Sequence, residues 1–310
     1  MTRTIWLASY PKSGNTWFRM LIANLRAESD ESVDINDLPE RGGIASARAP
    51  FDYLTLIDSG LLTHDEIDLL RPAVYEMLAS GAEDDLEAAA GPAFRFVKAH
   101  DAYTLNPAGV PLLAGATGAD AAIVIVRDPR AVAPSLANHM GDSIDNAIDF
   151  MADTGAGFCQ GLRGQARQLR QLLPGWSGHV ESWLDQRDIP VHLIRYEDLK
   201  ADPVCVFASA LAFAGHPAGR ERIARAVRLA DFASLRAQEE AHGFREAPQQ
   251  RRFFRRGETE AWREELSTDQ IARIEAAHAA VMARLGYAPS SAQDISGARI
   301  MPHQERAAGR

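Results

Sequence analysis

The sequence predicts an α/β protein in three layers (α/β/α), with helices covering both faces of a central, mostly parallel sheet. Three observations predict it. The chain opens on a short apolar run, Thr4 to Ser9, that enters a Pro/Gly loop and then a stretch with apolar residues at helical spacing. Ala121 to Val126 (AAIVIV) is a continuous apolar run, as a strand buried on both faces requires. Strand-like and helix-like segments then alternate along most of the chain, the pattern of parallel strands joined by crossovers. Ligands of such sheets bind beyond the carboxyl ends of the strands. The loop after the first strand holds a lysine, a serine and a glycine at a helix start, which makes the architecture P-loop-like.

The elements follow in order. After Gly14, the residues Trp17, Met20, Leu21, Ile22 and Leu25 repeat at helical spacing as far as Arg26. The block from 27 to 93 is acidic and irregular, with helical patches at His64–Leu70 and Pro72–Leu78, the second opened by Pro72, and a solvated helix start at Glu83-Asp84-Asp85. It carries no recognisable chemistry and is free to shape an acceptor pocket. Phe94 to Ala99 reads as a strand, and a helix from about Pro129 to Asn138 follows AAIVIV. Residues 158–173 and 177–187 read as helices, Val191 to Arg195 as a strand, and Pro203 to Phe213 as a helix. The stretch 219–240 is helical with a break near Asp231, 241–257 is a long loop, and Ser267 to Leu285 closes with a helix striped by Ile271, Ile274, Ala277, Val281 and Leu285.

The chain of 310 residues suits one domain, expected over 1–288, with 289–310 as a mobile Pro/Ser/Gly/Arg-rich tail. Hydrophobic residues make up 46% and charged residues 24%, which provides a core and excludes wholesale disorder. The net charge of −9 argues against a general nucleic-acid or membrane-surface binder, so an anionic ligand needs a local basic pocket. Cys159 and Cys205 form neither a metal motif nor a disulfide framework. With no signal-peptide pattern and no run of spanning length, a cytoplasmic protein without membrane insertion is expected.

Four segments carry chemistry. In Tyr10-Pro11-Lys12-Ser13-Gly14-Asn15-Thr16-Trp17, open N–H groups and the positive end of a helix dipole suit an anion, and Gly14 admits close approach. A Walker triphosphate loop needs a glycine before the Gly-Lys pair, whereas here Lys12 precedes Gly14 and residue 9 is serine. Arg127 follows the apolar strand, with Ser135 on the next helix. An arginine there meets either an anion or, as an Arg127–Asp128 turn before Pro129, a carboxylate; alone, both readings stand. Arg251-Arg252-Phe253-Phe254-Arg255-Arg256-Gly257 packs four arginines whose repulsion an anion would relieve, though a solvated basic face is the common alternative. Lys98-Ala99-His100 ends a strand with both polar side chains on one face. A lone histidine is more often structural than catalytic.

Together these motifs resemble the cytosolic-type sulfotransferase family over roughly residues 4 to 287. The resemblance implies a sulfuryl transfer from 3′-phosphoadenosine 5′-phosphosulfate (PAPS) to a hydroxyl or amine of a small molecule. It implies that Lys12, Ser13, Gly14, Asn15 and Thr16 hold the 5′-phosphate and that Trp17 stacks on adenine. Arg127 and Ser135 take the 3′-phosphate with Arg255, Arg256 and Gly257. Tyr196, in Arg195-Tyr196-Glu197-Asp198-Leu199, lies near the nucleotide, although a strand end with an acidic helix cap fits as well. Phe232 is a second adenine platform or core. His100 becomes the general base at its ordinary pKa, Lys12 stabilises the leaving oxygen and Lys98 neutralises the sulfuryl oxygens. No metal is implied. Asn15 stands where many relatives have threonine, and Glu260-Ala261-Trp262-Arg263 where many have Gly-Asp-Trp-Lys. The family's C-terminal dimer motif is not matched, so a homo-oligomer stays open. A P-loop kinase would need the missing Walker order. A binding protein on an inactive version of the fold would have lost Lys12 or His100.

Overall fold

A computed structural model describes residues 3–27, 29–38, 43–80, 94–161, 167–247 and 251–290. The central sheet has four strands: β1 (Arg3–Ser9), β2 (Phe94–Ala99), β3 (Ala121–Val126) and β6 (Val191–Arg195), in the order β2-β1-β3-β6 and all parallel. Two short strands, β4 (Gly157–Phe158) and β5 (Gln171–Leu172), form a separate antiparallel ladder. Side chains alternate across β3. Ala122, Val124 and Val126 join Trp6, Ala8 and Ala99 in the core of one face, while Ile123 and Ile125 join Ile5, Leu7 and Ile194 on the other. Both faces are therefore covered, which is why the run is apolar at every position. Each of these branched side chains contributes about 1.5–3 kcal/mol by burial.

The register aligns the carboxyl ends. Ala8 pairs Ala99, Ser9 pairs Ile125 and Val126 pairs Arg195. The residues that follow those ends are the Tyr10–Trp17 loop, His100, Arg127 and Tyr196, so four distant parts of the chain meet on one edge. Order reverses at β1 and β3, the topological switch point where such sheets bind ligands.

The predicted strands stand at the expected places, and the helices Asn15–Arg26, Pro203–Phe213 and Thr268–Arg284 agree with their apolar stripes. Three expectations change. Pro72 does not open a helix; it lies inside His64–Ala79. Proline there deprives the Asp68 carbonyl of its helical donor, and Asn106 Nδ2 supplies one at 3.2 Å. The start is instead fixed by a capping box between Thr63 and Glu66. The described residues of 158–173 are not helical but hold β4 and β5, because their backbone groups pair elsewhere: Leu169 N–H with the Ser46 carbonyl and the Leu172 carbonyl with Ala102 N–H. Helices Arg48–Thr55 and Ile144–Ala152 were not anticipated. Glu83-Asp84-Asp85, Pro248, Gln249, Gln250 and 291–310 lie outside the described residues. Among the described residues, no helix is long and apolar enough to cross a membrane.

Candidate active site

One cavity of about 590 Å³ opens at the carboxyl edge of the sheet. It gathers Lys12, Gly14, Asn15, Thr16 and Trp17 from the first loop and Lys98 and His100 from the end of β2. Arg127 and Ser135 follow β3, Tyr196 follows β6, and Phe232, Arg255, Arg256 and Gly257 come from the C-terminal half. Of the residues given a role in nucleotide binding or chemistry, Ser13 alone does not line it; its hydroxyl is buried without a partner.

The first loop turns tightly, with Lys12 at φ 70° and Gly14 at φ 105°. A Cβ on Gly14 would stand 2.5 Å from the Tyr196 ring, so only glycine fits. The helix begins at Asn15, and Phe18 N–H takes the Gly14 carbonyl. The N–H groups of Asn15, Thr16 and Trp17 consequently have no intrahelical acceptor. The Asn15 side chain does not serve an anion: its Nδ2 donates to the Leu7 carbonyl at 2.8 Å and to Ser9 Oγ at 3.2 Å, fastening the loop to β1. Nor is Lys12 a mobile charge. Its ammonium sits 3.5 Å from the centre of the Phe253 ring. Burial, then repulsion from Lys98 and Arg127, lowers its pKa to about 7 against the opposing pull of Glu246 and Glu239.

Arg127 is not paired with the neighbouring carboxylate, although Pro129 does open a helix capped by Asp128. Asp128 pairs with Arg130, not with Arg127, at 2.6 Å. Arg127 instead donates to the Lys12 carbonyl at 3.3 Å and the Glu258 carbonyl at 3.0 Å and lies 4.5 Å from the Tyr196 ring centre. Its Nε is buried without a partner. Tyr196 Oη donates to the Gly257 carbonyl at 3.1 Å, and a Cβ on Gly257 would meet Phe232 at 2.4 Å. Lys200, which the sequence did not single out, holds its ammonium 5.4 Å from the Trp17 ring and 5.5 Å from Phe232. The four clustered arginines need no anion to relieve them. Arg251 donates to the Asn138 carbonyl, Arg252 pairs with Glu240, Arg255 with Glu265, and Arg256 with Glu264 and Glu265.

At the β2 end, His100 Nδ1 lies 2.8 Å from the Ser9 carbonyl. A carbonyl only accepts, so Nδ1 carries the proton and Nε2 keeps its lone pair. Burial, followed by the charge of Lys98, holds the imidazole pKa well below its ordinary value, a departure from the expected unperturbed histidine. The backbone around it is clamped by His179 Nε2 on the His100 carbonyl at 3.0 Å and Trp183 Nε1 on the Asp101 carbonyl at 3.0 Å. The Asp101 carboxylate is buried against Arg71 at 3.0 Å. Lys98 is paired with Glu246 at 2.9 Å, and Glu246 also receives Arg19 at 2.6 Å. Burial opposes ionisation of Glu246, but Lys98 and Arg19 bring its pKa down to about 2. Nothing in the sequence marks Glu246 except a lone carboxylate within an arginine-rich loop.

The chain is similar to known proteins in sequence and fold. The sulfotransferase domain family matches residues 2–286. Cytosolic sulfotransferase 17 of Arabidopsis thaliana is 22% identical over 283 residues, 87% of this chain and 71% of that protein. A solved mouse sulfotransferase complexed with PAP has a TM-score of 0.54 at 16% identity, covering 96% of this chain and 89% of that one. A retinol dehydratase in complex with androsterone and the inactive cofactor PAP has a TM-score of 0.52 at 19% identity, covering 91% and 82%.

Proposed function

The chain belongs to the sulfotransferase domain family, and on that premise we propose that it moves a sulfuryl group from PAPS to a hydroxyl or amine of a small-molecule acceptor in the cytoplasm. The observation that carries the site assignment is the orientation of His100. Its Nδ1 proton is committed to the Ser9 carbonyl, so Nε2 keeps its lone pair, and His100 lines the cavity together with Lys12 and the first turn of the first helix.

The donor's fit rests on this chain's own atoms. Ser13 Oγ and Arg127 Nε are buried polar atoms without partners, and Gly14 and Gly257 let the Tyr196 and Phe232 rings close against the backbone beside them. Lys12 and the N–H groups of Asn15, Thr16 and Trp17 would hold the 5′-phosphate. Arg127 and Ser135 would hold the 3′-phosphate with Gly257, while Arg255 and Arg256 would have to share their carboxylate partners with it. Trp17, Tyr196 and Phe232 would flank the base. PAP in the solved neighbours supports the same nucleotide. PAPS supplies an activated sulfuryl group whose leaving oxygen stays on phosphate. His100 Nε2 takes the acceptor proton as the new O–S or N–S bond forms and the S–O bond to phosphate breaks. Lys12 meets the charge on the departing oxygen, and Lys98, paired with Glu246, adds positive potential beside the sulfuryl oxygens.

His100→Ala is expected to lower kcat by about 10²–10⁴-fold while leaving PAP affinity within a factor of about two in calorimetry. Turnover at the wild-type level in that variant would remove His100 from the mechanism.

A further inference from the structure

The cavity continues past the β2 edge of the sheet, away from Arg127 and Tyr196. Residues 44–47 run beside β2, with Ile44 bridged to Lys98 and Ala47 bridged in turn to Gln168. Gln168, Gln171, Phe158 and His139 line this region. Its polar atoms are unusual in their burial. Gln171 is 1% exposed. Its Nε2 donates to Gln168 Oε1 at 2.6 Å, and Ser46 Oγ reaches the same oxygen at 3.5 Å. Gln171 Oε1 is buried and has no partner, and neither has His139 Nδ1. Exchanging nitrogen and oxygen in the Gln171 amide alone would set its oxygen against Gln168 Oε1, so the open atom is the acceptor.

Buried polar atoms that line a cavity call for a ligand that meets them. A hydroxyl both donates and accepts, so it satisfies an amide oxygen, an amide nitrogen or an imidazole nitrogen in either tautomer. Phe158 adds an apolar face, with its ring stacked on Phe150 at 5.5 Å and 21°. A simple phenol brings one hydroxyl, which reacts at His100, and its bare ring would cover Gln171 without pairing it. A ring with several hydroxyls offers one to His100 and others to the wall.

We propose that the acceptor is a polyhydroxylated ring, a sugar or cyclic polyol, held by Gln171 and His139 through hydroxyls other than the one that reacts, with Phe158 against its C–H face. This rests on the sulfotransferase reading above. Sites built to pair a substrate hydroxyl discriminate strongly against molecules that lack it.

The test is sulfuryl transfer from PAPS, read by mass shift, to methyl α-glucoside, maltose and myo-inositol against 4-nitrophenol and 2-naphthol, with PAP binding measured in parallel. The polyols are expected to lead in kcat/KM. Gln171→Leu is expected to lower that value by more than about tenfold for the polyols, with a smaller loss for 4-nitrophenol and PAP affinity kept. His139→Phe, at a less buried position, should shift preference the same way and guards against misfolding of the first variant. Phenols outrunning polyols in the wild type, with PAP bound, overturns this inference alone, as does an equal loss for both classes in both variants. Failure to bind PAP or to sulfate any acceptor overturns the donor reading and this one with it.

Discussion

Lys12 is the residue whose chemistry the structure changes most. As a free loop lysine it would be charged at any physiological pH. Buried on Phe253, it has a pKa near 7 and is only partly charged at neutrality. An anion favours the charged form and raises that pKa. The linked affinity is therefore complete below about pH 7 and is lost as pH rises toward the value in the complex, at up to tenfold per unit. PAP titrations in wild type should weaken between pH 7 and 8.5, and Lys12→Met should remove that dependence; a flat wild-type profile would contradict it. Arg127→Ala is expected to cost PAP about ten- to hundredfold, as loss of a charged hydrogen bond does, and 5′-AMP far less. Equal losses would cancel its assignment to a 3′-phosphate. At this scale the sequence revealed which residue types converge, through Lys12, Gly14, His100 and Arg127. It did not reveal Glu246, ion-paired with Lys98 and Arg19, or Lys200, set over the Trp17 and Phe232 rings, because contacts between residues far apart in the chain leave no spacing to read.

Among elements, the helix His64–Ala79 shows how tertiary contact outweighs local preference. Pro72 would break it in isolation, but Asn106 meets the orphaned Asp68 carbonyl while its Oδ1 accepts from the N–H groups of Ala108 and Val110. Asn106→Leu is expected to cost about 2–3 kcal/mol by the usual worth of such bonds, measured by urea unfolding. Pro72→Ala restores the helical donor, so the two substitutions should couple by about 1 kcal/mol in a double-mutant cycle; strict additivity would refute the substitution of one donor for the other. The strands were legible because burial on both faces forces an apolar run, as in AAIVIV. The β4–β5 ladder was not, since Leu169, Leu172 and Leu173 fall at spacing that suits a helix and only their distant backbone partners decide otherwise.

For the molecule as a whole, buried neutral histidines set the acid response. Burial lowers His179, His278 and His139 to about 4, and His100 well below its ordinary value. A histidine depressed in the folded state contributes stability that is present above its unfolded pKa of about 6.5 and is lost as pH falls toward the folded value. For the fully buried His179 that difference corresponds to about 3 kcal/mol. Glu246, depressed by Lys98 and Arg19, adds a second loss that runs from its ordinary value of 4.5 toward about 2. Thermal midpoints should fall in two stages, first between pH 6.5 and 4 and then below 4.5, with Glu246→Gln flattening only the second. A constant midpoint from pH 7 to 5 would contradict the first stage.

The clamp around the cavity is already fastened by the protein itself. Arg127 and Tyr196 hold the carbonyls of Glu258 and Gly257, Glu239 accepts the N–H groups of Phe253 and Phe254, and Glu265 holds Arg255. A nucleotide entering such a cradle finds the loop ordered in advance and does not spend its own interaction energy on arranging it. On the proposed reading, a phosphate reaching Arg255 or Arg256 would compete with Glu264 and Glu265 for the same guanidinium groups. That exchange would fall on Arg255 and Arg256 alone, because Arg127 is held by carbonyl oxygens and Lys12 rests on the Phe253 ring.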